Sequence, residues 1–320
     1  MKVIHVDTAE EWRGGQVQLC HLVRGQLRRG QQPRVACPEG SPLWEELADL
    51  GDGRIAVPVG RDVRTSWTVG RLEADLVAAH TSHAHTCCTI LPRRLVVHRR
   101  VDFMPSGGWK YRRPDGYVAV SEAVARIVRA AGGSLVQVVP DGVSTPPVVP
   151  PAVDGPTVLA VGARVAHKGH RYLAEASRYM ADVDVGVAGE GELVYPGIRW
   201  LGRRDDIPAL LAAARVFVQP SVEEGMGQAV IEAMAAGVPV VVTDTGGLPE
   251  VVGDTGIVVP RSDARALAQG IQRALAGEHP PIEAARERAA RFSVDAMVDG
   301  TLAAYARVLD GCGGTIHPRV

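Results

Sequence analysis

Two carboxylates eight positions apart carry the most specific chemistry in this chain. Glu224 stands in the loop Pro220-Ser221-Val222-Glu223-Glu224-Gly225-Met226-Gly227. Glu232 stands in the apolar run that follows, Gln228-Ala229-Val230-Ile231-Glu232-Ala233-Met234-Ala235-Ala236, which Gly237 stops. The residues up to Gln219 read as a strand, so the glycines lie where a strand gives way to a helix and let a ligand approach the helix N-terminus. Ionised carboxylates only accept hydrogen bonds, which suits paired sugar hydroxyls. The simpler alternative is a solvated loop acid at 224 and a surface acid at 232; the flanking glycines and the apolar helix argue against it.

A diphosphate needs positive charge and free N–H groups. Lys168, in Val161-Gly162-Ala163-Arg164-Val165-Ala166-His167-Lys168-Gly169-His170, follows a strand and precedes a helix, and lysine otherwise occurs only at Lys2 and Lys110. Trp12-Arg13-Gly14-Gly15-Gln16 forms a second glycine turn between strand and helix. His80, His83 and His85, followed by Cys87 and Cys88, have some character of a metal site but lack the second ligand pair of a closed zinc centre, so no metal is expected. His98 and Arg100 follow in Val96-Val97-His98-Arg99-Arg100-Val101-Asp102-Phe103. Between 93 and 113 the cations Arg93, Arg94, Arg99, Arg100, Lys110, Arg112 and Arg113 face only Asp102. Such a span suits a phosphorylated or lipid-linked acceptor or an anionic membrane surface, with a solvated basic face as the simpler reading. Gly189-Glu190-Gly191 fails as a dinucleotide fingerprint because Val194 stands where the third glycine belongs.

The elements that position these residues alternate regularly. Strands are expected at 2–6, 34–37, 75–79, 94–98, 116–120 and 135–139, with helices at 17–27 and 121–131. Val143 to Pro156 contains five prolines and reads as a linker. Beyond it, strands at 157–161, 184–188, 216–219 and 239–243 alternate with helices at 171–179, 207–213, 228–236 and 264–276, and Ile282 to Leu309 reads as two helices. Short apolar strands alternating with helices predict parallel sheets covered on both faces, here an α/β chain of two doubly wound, Rossmann-like domains facing a cleft.

At 320 residues the chain exceeds a single core, and 46% apolar with 22% charged residues is an ordinary globular composition. A net charge of −1 argues against coating nucleic acid. The five cysteines, Cys20, Cys37, Cys87, Cys88 and Cys312, read as reduced thiols; neither a secretory start nor an apolar run of membrane-spanning length is seen, so a cytoplasmic location is expected, with any membrane contact peripheral, through 93–113.

Taken in order, these stretches resemble the retaining glycosyltransferases of family 4, which have the GT-B fold. The resemblance rests on Glu224-x7-Glu232 with Gly225, Met226 and Gly227, and on Ala233-Met234-Ala235-Ala236-Gly237. It also rests on Gly202-Arg203-Arg204-Asp205-Asp206, Asp244-Thr245-Gly246-Gly247-Leu248-Pro249-Glu250, Val120-Ser121-Glu122 and Pro140-Asp141-Gly142-Val143. It implies an acceptor-side domain at 1–142, a linker at 143–156, a nucleotide-sugar-binding domain at 157–290, and a C-terminal helix within 291–320 packing back toward the first domain. It also implies that Glu224 holds donor-sugar hydroxyls with help from the backbone of Gly225–Gly227, that Glu232 holds the ribose, and that Met226, Gly202 and Arg203 lie on the donor side. Gly14 and Gly15 would face the diphosphate from the other domain, joined by Lys168 and Arg164. The family has an arginine where this chain has Ala163, and Arg164 comes one place late. A histidine reaching the donor sugar, with His98 assigned that catalytic role beside Glu224 and Lys168, and sugar or acceptor contacts from His80, His83 and Arg100, complete the implied site. The activity implied is metal-independent transfer from a nucleotide-diphosphate sugar to a glycan, lipid-linked or small-molecule acceptor, with retention. A sugar-nucleotide epimerase and a non-catalytic sugar-nucleotide-binding paralogue are the alternatives.

Overall fold

A computed structural model describes residues 1–105, 108–144 and 154–311. It divides into two units, Met1–Gly142 with the segment from Val294, and Val143–Ser293. In the first, β1 (Val3–Val6), β2 (Arg34–Cys37), β3 (Arg54–Ala56), β4 (Leu76–Ala79), β5 (Arg94–Arg99), β6 (Gly116–Ala119) and β7 (Val136–Val138) form a sheet in the order β3-β2-β1-β4-β5-β6-β7, parallel throughout. Helices α1 (Gly14–Arg28), α2 (Pro42–Glu46), α3 (Val63–Gly70), α4 (Ser82–Cys88) and α5 (Glu122–Ala130) connect the strands. Strands buried on both faces favour continuous apolar runs, as in β4; β1 is equally buried, with His5 its one polar residue. Side-chain oxygens of Ser41, Asp62, Thr81 and Ser121 accept from first-turn N–H groups and so set where α2 to α5 begin.

The second unit contains β8 (Val158–Val161), β9 (Val185–Ala188), β10 (Arg199–Gly202), β11 (Val216–Gln219), β12 (Val240–Thr243) and β13 (Ile257–Val259). Their order is β10-β9-β8-β11-β12-β13, again parallel. Helices α6 (His170–Ser177), α7 (Ile207–Ala213), α8 (Gln228–Ala236), α9 (Leu248–Val252), α10 (Ala264–Leu275) and α11 (Ile282–Ala290) pack around it. The last helix, α12 (Val294–Asp310), returns to the first unit, where Met297, Val298, Tyr305 and Val308 join Val3, Leu76, Val96 and Val118 in one core cluster.

The expected α/β architecture of two parallel sheets is present. Three strands, β3, β10 and β13, lie outside the sequence reading. Each is a short sheet-edge strand with partly exposed residues; arginines interrupt β3 and β10, and β13 is an apolar run of only three residues. Of the expected linker, residues 145–153 lie outside the described residues, as do Cys312 and the chain end beyond Gly311. Val143 already belongs to the second unit, its N–H donating to the Phe292 carbonyl at 2.8 Å. Among the described residues no helix is long and apolar enough to cross a membrane.

Each sheet reverses its strand order once, between β1 and β4 and between β8 and β11. A crevice opens beyond the carboxyl ends of the strands at such a point. At the second of these, Gly169 holds the residues after β8 against the loop after β11. Its φ is +69°, and an added Cβ would stand 1.9 Å from the Pro220 carbonyl oxygen. Gly169→Ala adds left-handed strain to a clash with backbone, so it should cost about 2 kcal/mol or more and lower the melting temperature. A calorimetric melt unchanged from the parent would contradict this close approach.

Candidate functional site

The second unit assembles the carboxylate and the lysine. After β8 the chain passes through Gly162 into a 3-10 turn, Ala166–Lys168, and the Lys168 stem folds back over Gly162, its Cδ 3.6 Å from where a Cβ would stand. His170, the first residue of α6, anchors this loop by donating from Nε2 to the Ala163 carbonyl at 3.2 Å. Burial pushes the His170 imidazole down to about 4, so it stays neutral, with one N–H to give. After β11 the loop 220–227 is pinned on two sides. Val222 N–H donates to the His167 carbonyl at 2.8 Å, Thr243 and Thr245 hydroxyls donate to the carbonyls of Ser221 and Val222 at 2.6 and 2.7 Å, and Gly247 N–H donates to the Glu224 carbonyl at 3.1 Å.

Three donors converge on one oxygen of Glu224. Lys168 Nζ lies 2.7 Å from Oε2, Ser221 Oγ 3.0 Å and Gln219 Nε2 3.2 Å. Carboxylate and ammonium are both largely enclosed, with side chains 12% and 22% exposed. Gly225, Met226 and Gly227 are buried behind them, and Gly227 caps α8 with φ +96°. Glu232 lies in the second turn of α8. Among the described residues its carboxylate has no hydrogen-bond or ion-pair partner, and burial alone raises its pKa. A desolvated acceptor without donors is suited to hydroxyls arriving with a ligand.

The remaining donor-side residues separate from this pair. Arg164 stacks its guanidinium 5.5 Å over the Trp200 ring, its backbone bridges to the Glu190–Gly191 turn, and its Nε is buried without a partner. This cation thus lies on Trp200, whereas Lys168 meets Glu224. Gly202 ends β10 with φ +68° and accepts from Gly189 N–H, while Arg203 is exposed, 3.8 Å from Asp205.

In the first unit, Gly14 and Gly15 form the first turn of α1. Gln16 holds this turn to the sheet, accepting from Arg13 N–H at 3.0 Å and donating to buried Asp7 at 2.8 Å. The histidines gather around the reversal between β1 and β4. His5 Nε2 lies 2.7 Å from Gln26 Oε1, His5 Nδ1 3.0 Å from His80 Nε2, and His80 Nδ1 3.4 Å from Arg100 Nη1. Arg100 Nε donates to Asp141 at 3.0 Å. Arginine can only donate and the Gln26 oxygen only accept, so one direction satisfies the whole row. Arg100 donates to His80, His80 to His5 and His5 to Gln26, with one proton on each imidazole. Burial pushes His5 down to about 4 and holds His80 and His98 well below the usual histidine value, in keeping with neutral rings.

His98, expected to reach the donor sugar, is enclosed. Its Nε2 lies 2.7 Å from the Tyr305 hydroxyl on α12 and its ring stacks on His80 at 4.2 Å. His80 is the partly exposed member of the pair. His83 is exposed in the first turn of α4, and His85 is buried with Nε2 3.1 Å from the Lys110 carbonyl. No group of three or more metal-ligating side chains occurs among the described residues.

The basic span is largely engaged internally. Arg93 donates to the carbonyls of Ala74 and Gly70, Arg94 pairs with Asp115, Arg99 donates to the Phe103 carbonyl, and Lys110 donates to Ser82 and Thr86. Gln26, His5, Asp141, Tyr305, His170, Gln219 and Ser221 are site residues that sequence reasoning missed as participants. Asp141, His170 and Ser221 stand inside motifs already singled out and Gln219 closes a strand leading into one, whereas nothing in the sequence marked His5, Gln26 or Tyr305.

Buried neutral histidines have a direct consequence for acid stability. His5, His80, His85, His98 and His170 all bind protons less readily folded than unfolded, so the unfolded chain takes up more protons as pH falls below about 6.5. Their contribution is full at neutral pH and is lost toward pH 4. The melting temperature should fall steadily between pH 7 and pH 5, more steeply than in a His5→Gln variant. A flat profile over that range would contradict the neutral row.

Comparison with known proteins shows what the chain is similar to. Residues 155–277 match the model of the glycosyl transferases group 1. The chain is 31% identical over 246 residues to the 2-deoxystreptamine glucosyltransferase of Streptomyces kanamyceticus, spanning 63% of this chain and 62% of that one. It is 42% identical over 113 residues to the O-antigen chain mannosyltransferase B of Escherichia coli, spanning 34% of this chain and 30% of the relative. The chain thus covers less than two thirds of the length of these relatives. Among solved structures, Anabaena HepE in complex with UDP-glucose superposes with a TM-score of 0.80 at 22% identity, over 96% of this chain and 99% of that one. Residues 155–277 are thus similar to the glycosyl transferases group 1, on a chain whose fold is of the GT-B type.

Proposed function

We propose that this protein is a retaining glycosyltransferase of family 4, moving a sugar from a nucleotide-diphosphate donor to a hydroxyl of a glycan, lipid-linked or small-molecule acceptor in the cytoplasm. The observation that carries the reading is a carboxylate and an ammonium held together beyond β8 and β11, with a second, unpartnered carboxylate in the second turn of α8. Lys168 and the N–H groups at the start of α8 take the diphosphate, where negative charge grows as the sugar leaves. Glu224 accepts from the sugar hydroxyls and Glu232 from the ribose, whose hydroxyls supply the donors that Glu232 lacks. Lys168 and backbone N–H groups meet the leaving-group charge, so the proposal includes no divalent cation.

The first unit takes the acceptor side, with His80 and Arg100 directly after β4 and β5, while Gly14 and Gly15 face the diphosphate. His98 and Tyr305 support His80 from behind. Transfer proceeds on one face of the sugar: the acceptor oxygen bonds to the anomeric carbon, the bond from that carbon to the phosphate oxygen breaks, and the acceptor proton passes to the departing diphosphate. Trapping of a covalent glycosyl-enzyme would overturn that step. The relatives' names, a glucosyltransferase and a mannosyltransferase, and the UDP-glucose bound in HepE make UDP-glucose and nucleotide-diphosphate mannoses the first donors to try.

A thermal-shift panel of nucleotide sugars tests the donor class, since a ligand at 100 times its dissociation constant stabilises by about 2.7 kcal/mol. Glu232→Gln should weaken binding of the nucleoside diphosphate about tenfold or more, through lost charge-assisted hydrogen bonds. Glu224→Gln should still bind the nucleoside diphosphate but turn over the intact donor at least about a hundredfold more slowly. The opposite assignment of these two phenotypes would overturn the roles.

A further inference from the structure

Lys168 and Glu224 are bonded to each other, although the proposed function gives each of them to a different part of the donor. Taking that reading as given, we propose that the pair is an exchange device. The diphosphate takes Lys168 away from Glu224, and the sugar hydroxyls then replace the ammonium as donors to the carboxylate, so the site favours the intact donor over its nucleoside diphosphate product.

The geometry supplies the reasons. Both groups are largely enclosed, and a charge stripped of its partner in such a place is costly. An incoming diphosphate keeps Lys168 paired but removes the shortest of the three contacts to Glu224 Oε2. Ser221 Oγ and Gln219 Nε2 remain and hold the carboxylate in place. The Gln219 amide can serve only in the orientation found, because turning it over would set its oxygen against the carboxylate. The Gln219 Oε1 atom is accordingly left buried without a partner. With the intact donor, sugar hydroxyls refill the lost contact. With nucleoside diphosphate alone nothing refills it, so the product carries the full cost of breaking the pair. Gln219 is therefore a positioning residue that sets how strongly Glu224 competes for Lys168.

The test is calorimetric titration of the intact protein with UDP, GDP and ADP and with the corresponding nucleotide sugars. In Glu224→Gln the ammonium has no anion to leave, so the nucleoside diphosphate should bind about tenfold tighter than in the parent while turnover falls. The preference for nucleotide sugar over nucleoside diphosphate should shrink in the same variant. Simple relief of charge repulsion would also tighten binding, so the pair is examined by a double-mutant cycle. With Lys168→Met as background, Glu224→Gln should gain less than half as much. Gln219→Met, which removes a donor and keeps the volume, should shift affinity the other way, because Glu224 then holds Lys168 harder. Equal or weaker nucleoside diphosphate binding by Glu224→Gln, or the same gain with and without Lys168, would overturn the exchange while leaving the donor reading intact. If neither the parent nor Glu224→Gln bound any nucleotide, the functional reading would fall and the exchange with it.

Discussion

The contact between Lys168 and Glu224 depends on two backbones being brought unusually close. Parallel strands β8 and β11 are neighbours in the sheet but distant in sequence, and the chain leaves them in opposite directions. A lysine from one loop and a glutamate from the next can meet only if the loops nearly touch. Gly169 permits that approach to Pro220, and His167, Thr243, Thr245 and Gly247 then fix the second loop through backbone and hydroxyl hydrogen bonds. The charges are held by a scaffold of neutral contacts, which lets a ligand rearrange them without unfolding the site.

The first unit answers with a different chemistry at its own strand reversal. Here the groups are imidazoles kept neutral by burial and aligned by a one-way row of donors from Arg100 to Gln26. Such a row fixes tautomers and ring orientations without adding charge beyond the Arg100–Asp141 pair. The returning helix α12 is part of it, since Tyr305 fills the side of His98 that would otherwise need water. The two units thus carry unlike groups at equivalent topological positions, an ammonium–carboxylate pair in one and a row of neutral imidazoles ending on Arg100 in the other.

Much of this was legible in the residues. Strands β2 and β11 and helices α7 and α8 fall where apolar period and glycine stops place them, because buried parallel strands and helix ends leave strong marks. Edge strands β3, β10 and β13 did not, being short and half solvated. For the site, the spacing of Glu224 and Glu232 and the scarcity of lysine pointed to residues that the structure sets beyond the ends of β8 and β11. Linear order said nothing of Lys168 and Glu224 being bonded, for 56 residues separate them. His98 shows the converse limit. An imidazole near a strand end invites a ligand role, yet alternation turned it toward α12, and only the path of a helix two hundred residues later reveals that.

The most direct measurement is a crystal structure of the protein with a bound nucleotide sugar. The account predicts Lys168 on the diphosphate oxygens, Glu224 released from it and accepting from sugar hydroxyls, and Glu232 accepting from the ribose. Nucleotide seated away from the β8 and β11 ends, or Lys168 and Glu224 still bonded to each other beside an occupied site, would contradict it.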